Sequence, residues 1–464
     1  MDPLPLHQIA GYARGTISSG DPNITISRVS TDSRTLQPGD LFVPIRGDNF
    51  DGHQFVEQAA ERGASGALVE RSWSGNVREP FALIRVADTL VGYQQIAAGY
   101  RKSLPLKVIA ITGSNGKTST KDFVAAAFGR RFRVTKTEGN FNNHVGLPRT
   151  ILDANREHEI AVWELGMNHP GEIAALAAIA APDAGIITNI GIAHIEFMGS
   201  REAIAQEKGA LAEALGTNGM MILNADDPFS ESIAQRTRAN TFFAGINKGW
   251  LRAEDIRQSA SGSEFTILEG AHRCRAQLPV PGLHMVQNAM LAIAAGRVFG
   301  LSIEECAAGL ASAPLTKARL QLRGIRGVQF LDDSYNANPE SMQAALRTLV
   351  ELDTGGKRIA VLGHMGELGV ESECGHSDVG KTAAELRIDH LITVGDLGAA
   401  ISRAANSAGL EHTTHLATAA EAAELLSDMA TAGDLVLVKG SRSARMERVL
   451  EEFAQLEPAG DVAR

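Results

Sequence analysis

Lys107-Val108-Ile109-Ala110-Ile111-Thr112-Gly113-Ser114-Asn115-Gly116-Lys117-Thr118-Ser119-Thr120 is the stretch that decides the fold class. Its first six residues form a β-branched, apolar run of strand length. After a Gly-rich turn, a helical pattern runs from Lys117 to Phe128. Strand, loop and helix in that order make the repeating unit of a parallel α/β sheet. The loop also points to a chemistry. Backbone N–H groups of Gly113, Ser114, Asn115 and Gly116 would wrap phosphate oxygens, and the helix start, with Ser119 in its first turn, adds partial positive charge. Lys117 would neutralise β- and γ-phosphates, and Thr118 would offer its hydroxyl to Mg²⁺. The loop is a GxxGKT variant, because the first Gly of the general eight-residue pattern falls on Ile111. Its flanking strand and helix favour ATP binding over a simple turn.

Outward from this stretch the texture changes on both sides. Residues 1 to about 103 mix short alternating segments with turn-rich stretches such as Thr31-Asp32-Ser33-Arg34 and Gln37-Pro38-Gly39-Asp40, which predicts a small α/β domain with long loops. On the other side, apolar runs at 160–163, 185–188 and 220–223 suit buried parallel strands. Each ends in polar residues, where open α/β sheets place ligands. Ser200 is expected to cap a helix over 201–215. From about 314 the alternation restarts, with strands near 328–331, 358–362, 390–394 and 434–438. Asn338-Pro339-Glu340 carries a cap, a first-position proline and a first-turn acid. The expected layout is an N-terminal domain over 1–103, a central P-loop ATPase-type domain with a mostly parallel sheet over 104–313, and a Rossmann-like domain over 314–464.

Composition agrees with this α/β reading. The 464 residues are 44% hydrophobic, 21% charged and only 5% aromatic. A net charge of −10 makes nucleic acid a poor partner, so any bound phosphate must be met by local cations or N–H groups. Cys274, Cys306 and Cys374 form no CxxC pair, which argues against a disulfide framework or structural zinc. There is no signal-peptide pattern at Met1 and no apolar run of transmembrane length. A cytoplasmic monomer without membrane contact is expected.

Two further constellations follow the apolar runs. Glu164, in Trp163-Glu164-Leu165-Gly166-Met167-Asn168-His169, is either an Mg²⁺ ligand or a solvated strand-end acid. His194, in Thr188-Asn189-Ile190-Gly191-Ile192-Ala193-His194, is a metal ligand, a phosphate contact or a structural histidine. By spacing alone, Lys208 is an ordinary surface charge.

Together these segments resemble the Mur ligases. The phosphate loop matches, and so do Gly139-Asn140-Phe141-Asn142-Asn143-His144-Val145-Gly146, Glu164-Leu165-Gly166-Met167-Asn168-His169 and Asp332-Asp333-Ser334-Tyr335-Asn336-Ala337-Asn338-Pro339. Met365-Gly366-Glu367-Leu368-Gly369 and Val438-Lys439-Gly440-Ser441-Arg442-Ser443 complete the series, nearly spanning the chain in family order. The first and last phrases are superfamily-wide, whereas GNFNN, DDSYNANP and MGELG are similar to the branch that adds D-alanyl-D-alanine. The resemblance implies an ATP- and Mg²⁺-dependent ligase acting on a UDP-linked muramoyl tripeptide and D-alanyl-D-alanine through an acyl phosphate. It implies Lys117, Glu164, His194 and Lys208 as catalytic residues, with Thr118, Glu164, His194 and a carbamylated Lys208 at the metal. Asn288, Arg319, Asp333 and Asn336 would contact the nucleotide. Ser33, Arg34, Asp51 and His53 would bind the UDP substrate, and Asn140, Asn142 and Asn143 would line its peptide side. Two positions depart from the family pattern: Ala318 stands where Gly is typical, and His364 where Asp is common. The alternatives are another amide ligase of this superfamily or a P-loop ATP-binding regulator.

Overall fold

The computed structural model describes residues 1–47 and 49–456; residues 457–464 of the expected C-terminal domain lie outside them. Lys107–Thr112, buried at every residue but the first, lies inside the central sheet. It pairs in parallel with Ile160–Glu164 on one side and Ala184–Ile187 on the other. Val134–Lys136, Met220–Asn224 and Asn240–Ala244 extend the parallel part. Strands buried on both faces need apolar residues at successive positions, which is why they stand out as runs in the sequence.

The sheet continues beyond the expected strands. Leu251–Ser259, Gly262–Glu269 and His272–Leu278 add an antiparallel ribbon and bring the sheet to nine strands. Leu251–Ser259 alternates buried with solvated residues, so its signal is a two-residue period and not an apolar run. Helix Leu283–Val298, buried through most of its length, packs against the phosphate-loop helix Lys117–Phe128.

The N-terminal unit holds a five-stranded sheet, parallel except at Thr16–Ser19. The C-terminal unit holds six strands, parallel except for Gln321–Ile325. There Leu435–Lys439, the last strand in sequence, inserts between Val328–Asp333 and Arg358–Leu362. This reversal of strand order places the loops carrying Asn336, Glu367 and Ser441 at the strands' carboxyl ends, where open α/β sheets bind ligands. The architecture is a three-part α/β fold. Its parts share packed cores: Leu6, Ile9, Tyr93 and Tyr100 join one cluster with Trp163 and Leu211, and Phe123 and Phe128 join another with Leu331, Leu346 and Leu362. Among the described residues, no helix is long and apolar enough to cross a membrane.

Candidate active site

Glycines set the shape of the phosphate loop. Gly113 (φ 147°) and Gly116 (φ 80°) adopt backbone angles that L side chains avoid. A Cβ would stand 1.8 Å from Thr188 Oγ1 at Gly113 and 2.4 Å from Asn288 Oδ1 at Gly116. The loop therefore lies flush against the strand end bearing Thr188 and the helix bearing Asn288. Asn189, unassigned from sequence, holds it there. The Ser114 N–H donates to Asn189 O and the Asn115 N–H to Asn189 Oδ1, both at 2.9 Å. This corrects the expected cradle, because those two N–H groups are occupied within the protein. The donors left for phosphate are the Gly113 and Gly116 N–H groups and those of the first helical turn, Lys117 to Ser119, which have no intrahelical partner.

Lys117 Nζ folds back to donate to Gly113 O at 2.8 Å. Burial lowers its pKa against the pull of nearby Glu164. Glu164 is buried at its strand end, its Oε2 accepting from Thr118 Oγ1 (3.1 Å) and its Oε1 from Asn142 Nδ2 (2.9 Å). A carboxylate and a hydroxyl facing each other beside a phosphate loop suit a hard divalent cation.

Lys208, on helix Arg201–Glu213, overturns its surface-charge reading. It is 1% exposed, and its ammonium makes no hydrogen bond or ion pair among the described residues. Burial, and then the charge of Lys117, push its pKa well below the ordinary lysine value. Ser200 caps this helix as expected, accepting from the Ala203 N–H at 3.1 Å. The preceding Glu207 accepts from the N–H groups of Gly171 and Ile173 at 2.7 Å each.

His194 (φ 65°) and Glu367 (φ 59°) both occupy the left-handed region, a strained choice for residues with a Cβ. They meet across two units, His194 Nδ1 lying 2.5 Å from Glu367 Oε2. The ring beside it lowers the Glu367 carboxyl pKa. His194 Nδ1 lies beside this carboxylate without making a hydrogen bond to it, and Nε2 is the nitrogen left for a metal. Among the described residues no three His, Cys, Asp or Glu side chains gather as a metal site.

Other expected nucleotide residues lie where the central and C-terminal units meet. The Arg319 guanidinium stacks on Tyr335 at 4.2 Å and reaches Thr118 Oγ1 at 3.5 Å, while its buried Nε has no partner. Asp333 pairs with Lys439 Nζ at 2.5 Å, and Lys439 also donates to Asn336 O at 2.9 Å. One turn before Asn288, burial holds the His284 pKa down to about 4. Ala318 adopts φ 59°, a conformation in which the glycine of the family pattern would be unstrained. His364 Nε2 lies 2.8 Å from Ser443 Oγ.

The residues expected to bind the UDP substrate lie on N-terminal loops. Arg34 forms a two-pronged pair with Asp32, whose pKa the guanidinium lowers to about 2. The carbonyls of Ser33 and Arg34 accept from Arg62. Both His53 ring nitrogens are engaged, one with Asp51 Oδ1 (2.7 Å) and one accepting from the Glu70 N–H (3.1 Å). Although burial opposes it, hydrogen bonds from the His53 N–H and ring and from Arg46 hold Asp51 at about 2. Asp51 and His53 thus fix the shape of their loop. The asparagines expected along the peptide side also divide: Asn142 supports Glu164, Asn143 Oδ1 accepts from the Val145 and Gly146 N–H groups, and Asn140 stays exposed.

Comparison with known proteins matches three family models: the Mur ligase family catalytic domain over 25–90, the Mur ligase middle domain over 111–296 and the Mur ligase glutamate ligase domain over 318–442. The chain is 40% identical to the UDP-N-acetylmuramoyl-tripeptide--D-alanyl-D-alanine ligase of Bacillus subtilis, covering 96% of this chain and 97% of that one. To the Escherichia coli protein of the same name it is 36% identical, covering 97% and 98%. A crystal structure of MurF from Acinetobacter baumannii superposes with a TM-score of 0.91 at 32% identity, over 98% of this chain and 100% of that one. MurF from Thermotoga maritima, solved in complex with ADP, superposes at 0.84 with 29% identity, over 92% and 97%. With family models matching all three parts and relatives aligned end to end, the chain belongs to the Mur ligase family.

Proposed function

We propose that this protein is an ATP-dependent ligase that joins D-alanyl-D-alanine to UDP-N-acetylmuramoyl-tripeptide, giving the UDP-linked pentapeptide of peptidoglycan synthesis, ADP and phosphate. The observation that carries this reading is the end-to-end likeness to the B. subtilis and E. coli ligases of that name. We assign substrate binding to residues 1–103, including Ser33, Arg34, Asp51 and His53, together with the Asn140 to Asn143 loop of the central unit. ATP binding falls to 104–313, and 314–464 receives the dipeptide and closes on the nucleotide. We assign the protein a monomeric working form. Three free thiols fit a cytoplasmic workplace.

An amide cannot form from a carboxylate until one oxygen becomes a leaving group. The tripeptide carboxylate attacks the γ-phosphorus of ATP. A new O–P bond forms, the bond to ADP breaks, and an acyl phosphate results. Lys117 swings from the Gly113 carbonyl to the phosphates, and Arg319 turns its unpartnered Nε toward them. The amine of D-alanyl-D-alanine, after losing a proton to a base, attacks the acyl carbon. The tetrahedral intermediate then expels phosphate. Thr118, Glu164, His194 Nε2 and a carbamylated Lys208 would hold Mg²⁺, which offsets phosphate charge when bound. Burial of an unpaired lysine favours the neutral amine that carbamylation needs.

The reading is tested with tripeptide carrying ¹⁸O in its terminal carboxylate. One labelled oxygen is expected in the released phosphate, because the acyl C–O bond breaks in the second step. Unlabelled phosphate accompanying amide formation would exclude the acyl phosphate.

A further inference from the structure

The loops proposed to handle ATP are gripped from the C-terminal unit at the start of helix Pro339–Glu351. Asn338 caps that helix, its Oδ1 accepting from the Ser341 N–H at 2.9 Å. Its amide nitrogen is thereby turned outward and donates to Asn115 Oδ1 at 2.8 Å. In the first helical turn, Glu340 Oε2 accepts from the Ile192 N–H (3.2 Å) and from Asn115 Nδ2 (3.3 Å). Both polar ends of the Asn115 side chain are therefore committed to the C-terminal unit. The Asn115 backbone is committed to Thr188 and Asn189. Gly191 makes room for the contact, since a Cβ there would stand 1.8 Å from Glu340 Oε2.

We propose that Glu340 is a positioning residue that, through Asn115 and Ile192, couples seating of the C-terminal unit to the shape of the phosphate loop and of the loop leading to His194. If the units part, Asn115 and the Ile192 N–H lose these acceptors, and the strained backbone at His194 loses a neighbour that holds it. Coupling of this kind is reciprocal. A nucleotide that fixes the phosphate loop in this shape favours seating by the factor through which seating favours the nucleotide. The role in ATP use rests on the ligase reading above, and the test is chosen to separate the two.

Full-length wild type, E340A, E340Q and G191A are compared by calorimetric titration with ADP and Mg²⁺, and by small-angle scattering with and without ADP. E340A and G191A are expected to bind ADP about tenfold more weakly, the loss of about 1.4 kcal/mol, and to keep a larger radius of gyration in its presence. E340Q retains a carbonyl acceptor and is expected to stay within about threefold of wild type. Wild-type behaviour of E340A in both measurements overturns the proposal, as does a defect confined to G191A. A wild type that binds no ADP overturns it as well. Should E340A not fold, G191A and E340Q decide: weak binding by the first with normal binding by the second supports the coupling, and any other pairing overturns it. Variants that behave as expected, in a protein that releases no phosphate with the two proposed substrates, would keep the coupling and remove the ligase reading.

Discussion

Lys208 shows how much a single residue's setting decides. Its sequence neighbourhood is that of a solvated helix charge, yet its side chain is buried beside Lys117 with its pKa depressed. The sign for stability follows. The folded state resists the proton that the unfolded chain accepts near pH 10.4, so stability is lost as pH falls from there toward the folded pKa. K208M is therefore expected to abolish phosphate release while raising the thermal midpoint at pH 7.5 without bicarbonate, because methionine removes the cost of burying an unpaired amine. A fall in midpoint, measured by calorimetry, would show that burying the Lys208 amine carries no net cost. Asn142 supports a different expectation. Because it holds Glu164 Oε1, N142A should lower Mg²⁺ affinity or kcat by about 10–100-fold. A change confined to the KM of the tripeptide would return Asn142 to the peptide side.

At the scale of elements, the sequence was legible wherever one local signal was strong. Lys107–Thr112, Lys117–Phe128, Arg358–Leu362 and His390–Val394 fall at the expected positions, because buried parallel strands and a loop-initiated helix leave unmistakable runs. The antiparallel ribbon over Leu251–Ser259 and its two partners gave only alternation, in a stretch rich in charge. The candidate site was legible as motifs but not as contacts. Glu340 reads as a first-turn acid and Glu367 as one letter of a family phrase. Only the meeting of separate units shows that one touches Asn115 and the other His194. The departures from the family pattern also gain meaning in the fold. Ala318 pays a left-handed φ that glycine would not, so A318G is expected to leave activity intact and to change stability by less than about 1 kcal/mol in either direction, relieved strain offsetting added chain entropy. A loss well beyond that in chemical denaturation would mean that the Ala318 methyl packs usefully. S200A should cost about 1 kcal/mol in the same assay, through the lost cap of the helix bearing Lys208.

For the whole molecule, three sheets share continuous cores, and the polar contacts between the central and C-terminal units concentrate at the phosphate loop, Ile192 and His194. An acyl phosphate must be shielded from water until the amine arrives, and a site closed by the third unit would provide that shielding. The direct test of this account is phosphate release by the full-length protein with ATP and Mg²⁺, supplied with UDP-N-acetylmuramoyl-tripeptide, D-alanyl-D-alanine, both or neither. Sustained release is expected only when both are present, in step with formation of the UDP-linked pentapeptide. Equal release with neither substrate, or pentapeptide formation without ATP, would contradict it.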